Sequence, residues 1–383
     1  MPVECRPVRG YEGRMNRLFL APVALLVLAC GAAEPTPVAP PPPPPVATTP
    51  PVAAAPAPVK APEPTAEEKK KADDARQLKE DRAKWEEDHK LELARWNAEL
   101  HAEAKALADK SFPNLKAALT AAMAGHHRKP GAAERDKSRH PLETLEFFGL
   151  KPTMTVIDVG PGEGWYTELL APVLAKGGKY IGTSADPNGP ADARGTFYGQ
   201  RFKSFLEKAP ELYGKVQTMI VDGKAPKLAA DGTVDMVLIM RGVHGMKGGG
   251  TYGAWLSEIH RALRPGGVLG IEEHRALEGA NPDESAKKGY MPEKWVIEQT
   301  EAAGFKLEKK SELNANKNDT KDYPEGVWTL PPTLRLKEQD RAKYVAIGES
   351  DRMTLKFVKV KPATDKADKP APAKAPAKPA AKK

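Results

Sequence analysis

From Thr153 to Val159 the chain is a short apolar run of strand type, and it ends in Asp158-Val-Gly-Pro-Gly-Glu-Gly164 before an amphipathic helix. This succession of strand, glycine turn and helix constrains the fold more than any other feature. Glycines let the backbone turn sharply and approach a ligand closely, and the start of the following helix presents free N–H groups. Further apolar runs end at Asp222, at Arg241 and at Glu272, with helical patterns between them. Alternation of this kind predicts an α/β fold, a Rossmann-like three-layer α/β/α doubly wound sheet with mostly parallel strands.

Composition sets the bounds of that domain. Of 38 prolines, 19 fall in residues 35–64 and 361–383, stretches that cannot bury a core. The net charge of +8 is also peripheral, with +5 in 361–383 and +2 in 1–17, leaving +1 for everything between. A near-neutral domain does not support a nucleic-acid groove. Both cysteines, Cys5 and Cys30, precede the patterned region, which excludes a disulfide scaffold, a cysteine zinc site and a cysteine nucleophile there. His126 and His127 lack the spacing of helical metal ligands. H-E-x-x-H, G-x-S-x-G and P-loop motifs are all missing, so metalloprotease, serine hydrolase and nucleotide triphosphatase readings find no support.

The order of acid and glycines selects the cofactor class. Dinucleotide enzymes use G-x-G-x-x-G with an acid about 20 residues later. Asp158-x-Gly160-x-Gly162-x-Gly164 instead resembles motif I of class I S-adenosylmethionine-dependent methyltransferases. Val234 to His244 resembles that family's fourth strand and its loop, and Trp255 to Ile271, with Leu-Arg-Pro-Gly-Gly inside, resembles its helix, turn and fifth strand. The pieces RHPLETLEFFGLKP, GWYTELLAPVL, RGVHG and EEHRA resemble a group of exported bacterial methyltransferases of unassigned substrate. The resemblance covers roughly 135–360.

It implies S-adenosyl-L-methionine as cofactor, held by Asp158, Gly160, Gly162, Gly164 and Trp165, with the glycine loop along its methionine part and Asp222 at the adenine. The ribose acid falls on Ser184, with Asp186 two residues later, a departure from the family pattern. Arg241 and His244 follow the fourth strand and Glu272, Glu273, His274 and Arg275 end the fifth, where ligands bind in open α/β sheets. His244 is the first candidate for a general base and His274 the second, because imidazole titrates near neutral pH. Asn314–Pro332 interrupts a terminal strand pair, Phe305–Leu313 and Met353–Lys359, and its Trp328 predicts a cap over the pocket.

The rest of the chain divides by composition. Residues 1–29 read as an export signal, with Arg14 and Arg17 before an apolar stretch and Met15 as an alternative start. Val27-Leu-Ala-Cys30 resembles a bacterial lipobox, which implies lipidation of Cys30 and, with Gly31 next, an outer-membrane, periplasm-facing lipoprotein. Residues 30–64 are a proline-rich tether, 65–110 a charged amphipathic helix or coiled coil suited to self-association, 111–134 a connecting helix and loop, and 361–383 a disordered Lys/Ala/Pro tail. The expected function is methyl transfer to a small-molecule or lipidic envelope acceptor. A methyltransferase-fold module of the envelope that binds without turnover stays open as the rival.

Overall fold

Thr65 opens the first helix with a reciprocal cap. Its hydroxyl accepts from the Glu68 N–H at 3.2 Å and the Glu68 carboxylate accepts from the Thr65 N–H at 2.7 Å. The computed structural model describes residues 65–360, so the export signal, Cys30, the proline tether and the lysine tail lie outside the described residues. Helix α1 spans Ala66–Arg95 and α2 spans Ala98–Asp109. The single helix expected over 65–110 is therefore broken. Asn97 ends it because its side chain accepts from the Leu100 N–H at 2.9 Å and starts α2 instead. Leu78, Trp96 and Leu100 of the apolar stripe are buried against the rest of the domain, while Leu93, also of the stripe, and Leu91 are exposed.

Helix α3 (Leu115–Ala124), α4 (Asp136–Arg139) and α5 (Pro141–Phe148) lead to β1 (Thr155–Val159), α6 (Thr167–Leu174), β2 (Lys179–Ser184) and α7 (Arg194–Glu207). The chain continues through α8 (Pro210–Tyr213), β3 (Gln217–Ile220), β4 (Val234–Met240), α9 (Val243–Gly248), α10 (Tyr252–Ala262) and β5 (Leu263–His274). It ends with α11 (Pro282–Lys287), α12 (Glu293–Ala302), β6 (Phe305–Ser311), α13 (Arg341–Ile347) and β7 (Arg352–Lys359). The seven strands lie in the order β3-β2-β1-β4-β5-β7-β6. The first five run parallel, and β7 pairs antiparallel with both β5 and β6. Helices cover both faces, as the strand–helix alternation predicts, and the terminal pair is β6 with β7.

The boundary expected at 135 is displaced toward the N-terminus. Trp96, Leu100, Ala118, Leu119 and Ala122 are buried in one core with Val156, Leu169 and Leu170, so α2 and α3 belong to the domain. Their alanine-rich sequence buries small side chains, which leave a weak hydrophobic signal. Helix α1 is held on α7 by Arg82 to Gln200 at 2.7 Å, Arg194 to Asp81 at 2.7 Å and Trp85 edge-on to Phe197, and beyond α7 by Lys208 to Glu92 at 2.9 Å. None of the described helices is long and apolar enough to cross a membrane.

Candidate active site at the carboxyl edge of the sheet

Five parallel strands deliver their C-terminal ends to one edge. Register places Val159 beside Ile239, Ser184 beside Ile220 and Met240 beside Glu272, so the segments after β1 to β5 are neighbours there. Gly160, Gly162 and Gly164 all have positive φ, at 66, 61 and 82°, a conformation costly for any residue with a β-carbon. A β-carbon on Gly160 or Gly162 would meet nothing within 4 Å, whereas on Gly164 it would lie 2.6 Å from the Phe205 ring. The first two glycines thus line an open cradle, and the third lets α7 pack against the loop. The Gly160 N–H donates to the Thr183 hydroxyl at 3.0 Å, which ties the loop to β2.

Two residues expected at the cofactor turn inward instead. Asp158 is buried and its carboxylate accepts from the Tyr180 hydroxyl at 2.8 Å. Burial raises its pKa to about 6, opposed by that hydrogen bond and by Arg241. Trp165 corrects a second expectation: its indole N–H donates to the Ala132 carbonyl at 3.1 Å, and its face carries the Arg139 guanidinium 4.8 Å from the ring centre. It is a core residue. Asp186 and Asp222 do stand at the loops after β2 and β3, where each accepts a backbone N–H two residues on, from Asn188 and Lys224. Ser184 donates to the Ala185 carbonyl at 2.9 Å, so the ribose acid of the family pattern has no replacement at that position.

Around β4 and β5 the site is built from side chains. Consecutive strand residues point to opposite faces, and Glu272 and Glu273, both without solvent exposure, organise one network each. Glu273 accepts from the N–H groups of Val243, His244 and His274 and lies 3.0 Å from His244 Nδ1. Burial opposes charge on His244, but Glu273 outweighs it and holds the imidazole above its ordinary range. The His244 ring lies 5.8 Å from that of His274 and 6.0 Å, edge-on, from that of Trp328. His274 differs: it bonds the Ser350 hydroxyl, and burial with the nearby charges of His244, Arg241 and Arg352 pushes its pKa well below the usual value. The two histidines predicted as bases are therefore unequal: Glu273 favours the charged form of His244, and burial favours the neutral form of His274.

Glu272 faces the other way. It accepts from Arg241 at 3.0 Å and from the Tyr166 hydroxyl at 3.3 Å. Arg241 has φ 60°, rare outside glycine, and both its N–H and its guanidinium are fixed on Glu272. Arg352 Nε lies 3.0 Å from Glu272 Oε1, yet the two are out of alignment for a hydrogen bond. Arg352 also pairs with Glu349, which in turn holds Arg135 and Arg139. Sequence reasoning missed Arg135, Arg139, Glu349 and Arg352. A hint was available in Arg352, a charge at the head of an apolar strand, but Arg135 and Arg139 lie more than two hundred residues in sequence from the Glu349 that holds them.

The segment from Asn314 to Pro332 is anchored by buried polar groups. Asn314 donates to the hydroxyls of Thr144 and Thr354 at 3.0 Å each, and Asp319 accepts from the Asp351 N–H at 2.8 Å and from Tyr290 at 3.2 Å. This anchoring sets Trp328 against His244. Arg275, which also ends β5, is taken up by Glu293, Glu312 and Asp351 and braces the strand end. Among the described residues no group of His, Cys, Asp and Glu is arranged to hold a metal ion.

Residues 157–271, from β1 through β5, match the model of a family described as a methyltransferase domain. No curated protein matches the chain. Among solved structures, a SAM-dependent methyltransferase from Aquifex aeolicus is 20% identical with a TM-score of 0.40, over 61% of this chain and 94% of that one. The [4+2]-cyclase SpnF is 17% identical with a TM-score of 0.43, over 59% and 81%. Geranyl diphosphate methyltransferase in complex with SAM is 15% identical with a TM-score of 0.39, over 67% and 94%. Residues 157–271 are thus similar to a methyltransferase domain.

Proposed function

We propose that this protein is an S-adenosylmethionine-dependent methyltransferase that acts on a small-molecule or lipidic acceptor of the bacterial envelope, with His244 as general base and Glu273 as the group that orients it. The observation that carries the reading is the His244–Glu273 contact of 3.0 Å beside the glycine loop. With Nδ1 turned to the carboxylate, Nε2 is left to take a proton from an acceptor hydroxyl or amine. Bound S-adenosylmethionine supplies an electrophilic methyl group on a sulfonium. Gly160 and Gly162 would receive its methionine part in the open cradle, and Asp186 and Asp222 would face its ribose and adenine. Arg241, fixed on Glu272, shapes the wall between cradle and base, and Trp328 closes the ring of His244 from water on one side. His274, held neutral, keeps a second positive charge away from His244.

The test is transfer of labelled methyl from S-adenosylmethionine into envelope lipid and small-molecule fractions. Wild type should label one of them, and His244→Ala should reduce labelling by about 10²-fold or more, the range for loss of a general base. Affinity for S-adenosylhomocysteine should stay within a few-fold. Undiminished labelling by the variant contradicts the assignment of the base.

The envelope location rests on the Val27-Leu-Ala-Cys30 motif behind its basic and apolar segments. Residues 30–64 would then act as a tether and the exposed face of α1 as a surface for a second copy. In a bacterial host Cys30→Ala should abolish lipid labelling of the protein and release it from the membrane fraction. Equal labelling of both forms overturns the anchor.

A further inference from the structure

The polar cluster on the Glu272 side of β5 is unbalanced in charge. Arg135, Arg139, Arg241 and Arg352 come together around Glu272 and Glu349. Counting buried Asp158 as well, one positive charge remains without a partner. Burying a cation without a counter-charge is unfavourable, and proteins normally pair such groups or use them to bind anions. Bonding within the cluster is incomplete too. Arg135 and Arg139 bond Glu349 only through Nε, and Arg241 bonds Glu272 only through Nη1. Among the described residues nothing accepts a hydrogen bond from the remaining guanidinium ends of these three. Arg352, 1% exposed, keeps an Nε without an aligned acceptor.

The cluster lies on the β4 side of the glycine loop, opposite the aspartates that follow β2 and β3. Arg241 follows β4 and lies 5.9 Å over the Tyr166 ring, and Arg139 lies over Trp165, the two aromatics that follow the glycine loop. Asp186 and Asp222 stand on the far side of β1, after β2 and β3. A planar guanidinium matches carboxylate and phosphate oxygens with two parallel N–H donors. We infer that Arg135, Arg139 and Arg241 form a binding site for an anionic group, a carboxylate or phosphate, carried by the methyl acceptor. Burial and the neighbouring guanidiniums already press Arg135 below its ordinary pKa, against the pull of Glu349, and an arriving anion would relieve that repulsion. The inference rests on the methyltransferase reading and narrows its acceptor to an acidic molecule.

Inorganic phosphate is the probe. The full chain is titrated calorimetrically with phosphate at constant ionic strength, alone and with saturating S-adenosylhomocysteine. Phosphate should bind in both conditions, and Arg135→Gln should weaken it by about tenfold or more, the loss of one charge-assisted contact. Arg135 is the most exposed member of the cluster, and Arg135→Lys, which keeps the charge, should retain part of the affinity. S-adenosylhomocysteine binding should change less than threefold in either variant, which reads the cofactor site independently and reports a folded protein. Three results overturn the proposal. Phosphate does not bind; Arg135→Gln binds it as wild type does; or S-adenosylhomocysteine displaces it, which would assign the arginines to the cofactor's own carboxylate.

Discussion

The two halves of the site are built on opposite principles. On the β1–β3 side the work falls to backbone: three glycines with positive φ, an open cradle at Gly160 and Gly162, and two aspartates at loop ends. On the β4–β5–β7 side it falls to buried side chains, with Glu272 and Glu273 turned to opposite faces and arginines and histidines gathered around them. Backbone sites are local in sequence, because a turn is specified by the residues that make it. Side-chain sites are assembled by topology, and here they join residues from Arg135 to Arg352. In the proposed function the first half receives the cofactor and the second half acts on the acceptor.

The contrast breaks most sharply at Glu272. Replacing it with Ala leaves Arg241 and Arg352 buried without their shared carboxylate, and removal of one partner from a buried pair costs about 3–5 kcal/mol. Denaturant unfolding of Glu272→Ala should show a loss of that size, large against the stability of an ordinary domain. A loss below about 1 kcal/mol would mean that the network is solvated and energetically idle.

Glu273→Gln acts on chemistry rather than on folding. It keeps the shape but removes the charge that orients His244 and raises its pKa, so methyl transfer should fall roughly 10²-fold, the lower end of what a general base contributes. S-adenosylhomocysteine affinity should hold. Parallel losses of affinity and turnover would make Glu273 structural.

Packing at the glycine loop gives a smaller effect. Gly164→Ala puts a β-carbon into the Phe205 ring at a backbone angle that disfavours it, and overpacking of this kind costs about 1–3 kcal/mol. Phe205→Ala combined with it should recover part of the loss, which a double-mutant cycle measures. A Gly164→Ala protein as stable as wild type would show that α7 yields at no cost.

The smallest effect is a shift in pH dependence. His244 is raised above its ordinary 6.5, so turnover should climb as pH rises through the raised value and the base becomes neutral. The stability from its pairing with Glu273 runs the opposite way, being full below 6.5 and lost as pH rises through the raised value. In Glu273→Gln the activity inflection should move to lower pH. An inflection at the same pH in both proteins would place the base elsewhere.

Legibility in the sequence follows the same divide. The strand, loop and helix around Asp158 to Gly164, the strand ends at Asp222 and Arg241, and the terminal pair β6–β7 were readable because their signals are local. The break at Asn97 was not, since one side chain capturing the Leu100 N–H overrides a helical pattern on both sides. Helices α2 and α3 were assigned outside the domain because alanines pack closely without announcing it. Trp165 and Asp158 carry the family pattern, yet the structure turns them to Ala132 and Tyr180. Such a turn depends on partners that no local pattern encodes. The same holds for Arg352, whose three partners come from α4, β5 and the segment before β7.

The central claim is that the open backbone at Gly160 and Gly162 receives the cofactor, independently of the charged half. Calorimetric titration of S-adenosylhomocysteine into wild type and Gly162→Val tests it directly, with circular dichroism to confirm that the variant is folded. No protein atom lies within 4 Å of the new β-carbon, so a valine there obstructs the ligand more than the fold, although its φ of 61° is strained. The account predicts binding to wild type and a loss of at least about 1.4 kcal/mol, tenfold in affinity, in the folded variant. Equal affinity in both proteins, or no binding by wild type at millimolar ligand, would contradict it.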